Sequence, residues 1–182
     1  MMRRLAETLR GVGAGNGGPD AALQHYRAGV GLAERGRFRQ AVERFTAAIE
    51  LSPDTATLYH HRGTAYAELG RHREAIVDLD VAVRHNPGYP DTYLDRGNSH
   101  HALQERGAAV KDYSEAIRLR PDFAAAYANR AAINVELGDE EKAAADGERA
   151  LALGIDRATF DALLEGARGR RPGGDDGEKA GK

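Results

Sequence analysis

Histidine is the residue type in this chain that could most readily do chemistry. Two histidine doublets, His60–His61 and His100–His101, lie on either side of Asp95 in the sequence. Neutral imidazoles beside a carboxylate can bind Zn²⁺, and an imidazole can also make a pH-dependent contact with an acidic partner. Adjacent side chains on a helix diverge, however, and neighbouring helices lie about 10 Å apart, whereas zinc ligands lie about 2 Å from the metal. We therefore expect no metal site and interpret the histidines as polar lining of a groove.

Other patterns associated with catalysis or cofactor binding lack their context. Gly13, Gly15 and Gly18 satisfy G-x-G-x-x-G, but no strand precedes them and no lysine is present to form a phosphate loop. The chain has no cysteine, which excludes a thiolate nucleophile and a sulfur-ligated metal, and no nucleophile elbow or Ser-His-acid set is recognisable. We therefore predict a protein that is not an enzyme and has no cofactor.

The secondary-structure elements that must position these side chains belong to a sequence repeat of 34 residues. Its four copies start at Ala22, Ala56, Pro90 and Ala124. Three columns recur in register: Ala41, Ala75, Ala109 and Ala143; Ala48, Ala82, Ala116 and Ala150; and Pro53, Pro87 and Pro121. A fixed period in this range with helix-forming composition is typical of a solenoid, whose units stack because none can bury its apolar face alone.

Each copy divides into two helices. In the second copy, Tyr59, Gly63 and Tyr66 line one face at helical spacing, and Gly70 follows where a left-handed cap is needed. A second apolar stripe then runs to Pro87, which cannot continue a helix.

These columns resemble the tetratricopeptide repeat (TPR) family, over residues 22–157. The family pattern of aromatic, Gly, Tyr, Ala, aromatic, Ala and Pro is matched in the second copy by Tyr59, Gly63, Tyr66, Ala75, Leu79, Ala82 and Pro87. The resemblance implies an all-α, right-handed superhelical solenoid of TPR helix-turn-helix pairs with a C-terminal capping helix. The predicted parts are a flexible N-terminal segment with a Gly-rich linker at 1–21, repeats at 22–55, 56–89, 90–123 and 124–157, the capping helix at 158–168, and a disordered tail at 169–182.

Two residues near the C-terminal end of the repeats predict local consequences. Gly147 replaces a core aromatic in the fourth copy, which should leave space and weaken that repeat. Asp156, in contrast, stands where the capping helix needs an N-cap.

Repeat positions 7 and 23 change together. Position 7 reads Ala28, Arg62, Arg96 and Arg130, and position 23 reads Arg44, Asp78, Asp112 and Asp146. Because the copy without the arginine is also the copy without the aspartate, we predict an ion pair between the two helices of each later repeat. Such a pair would maintain the fold.

By resemblance, the first helix of each repeat lines a concave groove through positions 2, 5, 6, 9, 12 and 13. The candidate partner-binding residues are Leu23, Tyr26, Arg27, Val30, His60, His61, Thr64, Leu94, Asp95, Asn98, His101 and Asn129. In the fourth repeat, Ala128 and Ala132 are small and should leave room for a ligand. The resemblance implies a non-catalytic scaffold, an adaptor or assembly factor, that binds a peptide segment of an unidentified protein. The alternative is a structural scaffold whose repeats self-associate into homo-oligomers.

The best-known TPR binding mode, a cationic clamp for a C-terminal carboxylate, is disfavoured. Counted from the first repeat, the matching positions hold Tyr26, Val30, His61, Asp91 and Asp95, and counted from the second they hold His60, Thr64, Asp95, Ala125 and Asn129. Neither set is cationic, and Asp95 would repel the ligand.

Charge and hydropathy argue against nucleic acid and membranes as partners. Acidic and basic residues nearly cancel, at 28 against 26, so we expect no nucleic acid or membrane surface as a partner. No stretch approaches the roughly 20 apolar residues of a membrane span, and the N-terminus lacks the apolar run of a secretory signal. We therefore expect a cytoplasmic location.

Overall fold

The computed structural model describes residues 19–171, which contain nine helices. They are α1 Pro19–Ala33, α2 Phe38–Leu51, α3 Ala56–Glu68, α4 His72–His85, α5 Pro90–Ala102, α6 Arg106–Leu119, α7 Ala124–Leu137, α8 Glu140–Ala152 and α9 Arg157–Arg168. The first eight form four pairs stacked in chain order, and α9 closes the end of the stack. This confirms the predicted all-α repeat fold. Residues 1–18, which hold most of the predicted Gly-rich linker, and tail residues 172–182 lie outside the described residues.

The first helix of every pair ends in the same turn. After α3, the Arg71 amide donates to the Tyr66 carbonyl at 2.9 Å, and Gly70 has a φ of 72°. Gly36 and Gly138 take the same left-handed conformation after α1 and α7. Glycine tolerates this region at no steric cost, so the predicted cap at Gly70 is confirmed. In the third pair, Gln104 must adopt a φ of 62°.

Within each of the first three pairs, a glycine of the first helix lies against a large side chain of the second. A Cβ added to Gly29, Gly63 or Gly97 would lie 2.6, 2.9 or 2.7 Å from the nearest side-chain atom of Phe45, Leu79 or Tyr113, respectively. The absence of a side chain therefore allows the helices of a pair to approach closely, and all three large side chains are buried.

The fourth pair is filled from a different direction, and the predicted empty space at Gly147 is wrong. Phe160 of α9 lies over Gly147, so that an added Cβ would be 2.8 Å from its ring. Phe160 is only 3% exposed and packs with Ala128, Ala131 and Ala150. The aromatic missing from α8 is therefore supplied by the terminal helix. The N-cap prediction for α9 is confirmed, since the Asp156 carboxylate accepts from the Thr159 amide at 2.9 Å.

The predicted ion pairs within the repeats are confirmed. Arg62 donates to both oxygens of Asp78 at 2.7 and 2.8 Å. Arg96 pairs with Asp112, and Arg130 with Asp146, in the same bidentate geometry.

The third nitrogen of each of these arginines reaches the preceding repeat, a contact that the sequence reasoning missed. Arg62 Nη1 donates to Thr46 Oγ1 at 3.0 Å, Arg96 Nη1 to Asp80 at 2.7 Å, and Arg130 Nη1 to Ser114 at 2.9 Å. The arginine column thus links successive repeats and fixes how their first helices line up along the concave face.

Candidate functional site

The candidate site is the face formed by α1, α3 and α5, which we call the groove. Neighbouring helices are connected across it by side-chain hydrogen bonds, so its shape is set before any ligand arrives. Two junctions lie within the groove, α1 with α3 and α3 with α5, and a third joins its last helix, α5, to α7.

At the first junction, His61 is sandwiched by aromatic residues. Its Nε2 lies 2.9 Å from the Tyr26 hydroxyl, and its ring stacks on Phe45 with a centroid distance of 5.7 Å. Burial lowers the pKa of His61 to about 4, so the imidazole is neutral at neutral pH. Leu23 and Val30 pack partly buried around this group. This junction is a rigid, mainly apolar wall.

At the second junction, polar side chains converge on Asp95. Thr64 Oγ1 donates to Asp95 at 3.3 Å, and His60 Nε2 lies 3.6 Å from the same oxygen. The other ring nitrogen of His60 is 3.2 Å from Thr92 Oγ1.

Burial dominates the titration of this group. It raises the pKa of Asp95 to about 6, with the charges of Asp91 and Glu68 acting in the same direction. It also lowers the pKa of His60 to about 4. The second junction therefore presents a carboxyl that titrates near pH 6 beside a neutral imidazole.

At the third junction, amide side chains meet. Asn129 Nδ2 donates to Asn98 Oδ1 at 2.8 Å, and the buried Tyr113 hydroxyl donates to the same oxygen at 2.9 Å. Asn98 itself remains exposed, and Leu94 lies half-buried beside it on α5. Arg27, on α1, is likewise exposed.

The histidine doublets do not converge. His60 lies near Thr92 and Asp95, His61 contacts Tyr26, and His100 Nδ1 lies 2.6 Å from a Glu105 oxygen. His101 Nε2 lies 2.9 Å from Glu136 instead. Within residues 19–171, no group of three or more His, Cys, Asp or Glu side chains is arranged to hold a metal ion.

The fourth repeat does not offer the room that its small side chains predict. Ala128, Ala132 and Val135 on α7 are all buried, because Leu163 and Leu164 of α9 pack over this face. The apolar spacing of α9 is visible in the sequence, but its position on the concave side is not.

Residues assigned to the disordered tail take part in the same contact. Arg170 Nε donates to Glu136 at 2.7 Å, and Arg171 Nε donates to the Val135 carbonyl at 2.7 Å. Arg170 and Arg171 therefore belong to the packing of α9 on α7.

The fold has counterparts among known proteins. A family model described as "TPR repeat" matches residues 31–70 and again 101–138, and a second, described as "Tetratricopeptide repeat", matches residues 56–88. A comparison with curated protein sequences gives no significant match.

Solved TPR structures superpose over most of the chain. The first TPR domain of human RPAP3 is 29% identical with a TM-score of 0.65, covering 68% of this chain and 98% of that one. The first TPR of Spaghetti (RPAP3), solved bound to the HSP90 peptide SRMEEVD, is 28% identical with a TM-score of 0.63, covering 64% of this chain and 93% of that one. MamA, at 22% identity, shares the fold with a TM-score of 0.72 over 87% of this chain and 89% of its own.

In the part of the chain that the structure describes, no helix is long and apolar enough to cross a bilayer.

Proposed function

Because the chain belongs to the tetratricopeptide repeat family, we propose that it is a non-catalytic protein-interaction scaffold that binds a peptide segment of another protein in the groove of its first three repeats. The observation that carries the proposal is the contrast between its repeats. Glu34, Glu68 and Asn98 project from the groove and are exposed, whereas the equivalent face of α7 is covered. The open part of the groove is also braced by hydrogen bonds, so a ligand would not have to order it.

The lining indicates a ligand with mixed side chains. Leu23 and Val30 offer partly exposed apolar surface at one end, whereas Thr64, Asp95 and Asn98 offer hydrogen-bonding groups further along. An extended or helical peptide with apolar residues at one end and polar ones at the other fits this gradient.

We propose that this ligand differs from the acidic peptide bound by the Spaghetti (RPAP3) domain. In our chain the clamp positions include Asp95, with Glu68 close enough to affect its titration, and Asp91, whose charge is paired with Arg120. A C-terminal carboxylate placed there would be repelled. The peptide SRMEEVD should therefore bind much more weakly than a ligand selected on the chain itself.

The test is selection of a phage-displayed library of random 12-residue peptides on the full chain. A groove variant carries Arg27→Glu and Glu68→Arg, since both residues are exposed and replacing them should leave the fold intact. The matched control carries Val77→Asp, at a residue that is 62% exposed outside the groove. We expect enriched peptides to lose binding to the groove variant and to keep it with the control. Failure to enrich any peptide, or equal binding to all three chains, would reject groove binding.

Self-association is the alternative function and has a separate measurement. Light scattering of the full chain over a range of concentrations distinguishes a monomer from a defined oligomer. A homo-oligomer that forms without any ligand, together with no peptide enrichment, would favour the structural scaffold.

A further inference from the structure

The terminal helix does not continue the path of the solenoid. Where a repeat meets the preceding pair, its first helix packs mainly on the second helix of that pair, as α7 does on α6. Helix α9 instead packs mainly on α7 and only slightly on α8. It is therefore displaced toward the concave side of the molecule.

This displacement covers the C-terminal part of the α7 face, where Ala132, Val135 and Glu136 lie. Glu136 is 2% exposed, whereas Glu34, Glu68 and Ala102 at the same repeat position are all exposed. Val135 is 1% exposed. The last segment of the concave surface is thus occupied by a helix of the same chain, which lies where a helical ligand would lie.

The contact has the features of a specific recognition site. Phe160 fits against Gly147, where no side chain interferes, and Ala167 is buried near Val135. Leu163 and Leu164 lie between these two anchors. The opposite side of α9 is exposed to solvent, so no further element of residues 19–171 holds the helix in place.

A buried carboxylate marks the end of the site. Glu136 accepts from Arg170 at 2.7 Å and from Arg106 at 2.7 Å, and His101 lies 2.9 Å away. Burial alone would raise the pKa of Glu136, but these three hydrogen bonds outweigh it and lower the pKa. Because Arg106 and His101 belong to the third repeat, the carboxylate keeps partners when Arg170 departs, and it can accept an arginine from another helix.

Helix α9 is also short enough to exchange. A helix of 12 residues is marginal in water by itself, so its order depends on this one-sided packing. The connection from α8 is the brief segment 153–156, in which Gly154 has a φ of 98°.

We propose that the covered face of α7 is a docking site for an amphipathic helix of another protein, and that α9 is its occupant in the free chain. The partner helix carries the α9 pattern: an aromatic residue, apolar residues three and four positions later, a small residue seven positions later, and an arginine ten positions later. This site is separate from the groove of the first three repeats, and its occupation does not depend on peptide binding there.

The probe is a fluorescein-labelled peptide with the sequence of residues 156–171, titrated against full-length chains by fluorescence anisotropy. In the parent chain α9 competes with the peptide. The peptide can bind only the fraction of molecules in which α9 is undocked, so its apparent Kd is the intrinsic Kd divided by that fraction. The Phe160→Ala chain loses its main anchor and should bind the peptide at least about tenfold more tightly. An Arg170→Ala chain should show a smaller increase.

Two controls separate displacement from general unfolding. Binding of the peptide should raise the melting temperature of the Phe160→Ala chain, because the peptide's own phenylalanine fills the site over Gly147. A peptide carrying Phe160→Ala should not bind or stabilise any of the chains.

Three results would overturn the proposal. The first is a peptide that binds none of the chains, and the second is one that binds the parent and Phe160→Ala chains equally. The third is dimerisation of the parent chain at the concentrations used in the titration, together with loss of the dimer in the Phe160→Ala chain. That result would make the occupant of the site a second copy of this chain.

Discussion

The sharpest test of the terminal packing is the substitution Gly147→Ala. In a helix interior, replacing glycine by alanine ordinarily stabilises the fold by about 1 kcal/mol. Here the new Cβ would lie 2.8 Å from Cζ and 2.9 Å from Cε1 of Phe160. Favourable carbon–carbon contacts lie at about 3.5–4.0 Å, so the ring or the helix must move.

The cost of overpacking determines whether Gly147→Ala stabilises or destabilises the chain. Phe160 is buried against Ala128, Ala131 and Ala150, and therefore has little room to retreat. Overpacking of this kind costs about 1–3 kcal/mol, which offsets or exceeds the gain in helix propensity. We expect Gly147→Ala to change the free energy of unfolding by between zero and about 2 kcal/mol in the destabilising direction.

Urea unfolding followed by circular dichroism measures this change, and two controls interpret it. Gly107→Ala places a Cβ in open space on α6 and should stabilise the chain by up to about 1 kcal/mol. In a Phe160→Ala background the obstacle is gone, so Gly147→Ala should also become stabilising. If Gly147→Ala stabilises the parent and the Phe160→Ala chain equally, Phe160 does not pack over Gly147 and the account of the fourth repeat fails.

Three further predictions address the ion pairs, the turns and the groove. Arg96→Ala leaves the buried Asp112 carboxylate without its cation and should cost about 3–5 kcal/mol in urea unfolding. Arg118→Ala removes an exposed pair with Glu115 and should cost much less, so equal losses would refute a structural role for Arg96. Gln104→Gly relieves a left-handed conformation and should stabilise by about 1 kcal/mol, so a lower melting temperature would contradict the strain. Burial lowers the pKa of His61 from 6.5 to about 4. Between these two pH values the imidazole is protonated in the unfolded chain but not in the folded chain, so the free energy of unfolding falls as the pH decreases from 6.5 to 4. His61→Phe should flatten the dependence of the urea midpoint on pH between 6.5 and 4, and an unchanged slope would show that His61 is not buried as a neutral imidazole.

Features that repeat in register could be predicted from the sequence, because each copy constrains the others. The contact between Arg62 and Asp78 follows from the first copy, where both residues are absent together. The link from Arg62 back to Thr46 was missed, since position 25 varies among threonine, aspartate and serine and only its oxygen is shared.

The groove could be predicted as a set of positions but not as a set of contacts. Hydrogen bonds such as Tyr26 with His61, or Asn129 with Asn98, join different residue types at each junction. Aligning the repeats does not reveal these hydrogen bonds, because each one depends on the side-chain lengths at two positions in neighbouring repeats. The raised pKa of Asp95 has the same origin, in burial that only the assembled face produces.

The position of α9 can be understood from two repeat positions that change together, as the arginine and aspartate positions of the ion pairs do. In the first three repeats a glycine on the first helix faces a large side chain on the second, as Gly97 faces Tyr113. In the fourth repeat both positions change, to Ala131 and Gly147. A joint change of two facing residues means that the contact between them has been replaced, and the vacant space over Gly147 requires a large side chain from outside the pair. Phe160 is that side chain, and the departure of α9 from the solenoid path is the consequence of supplying it.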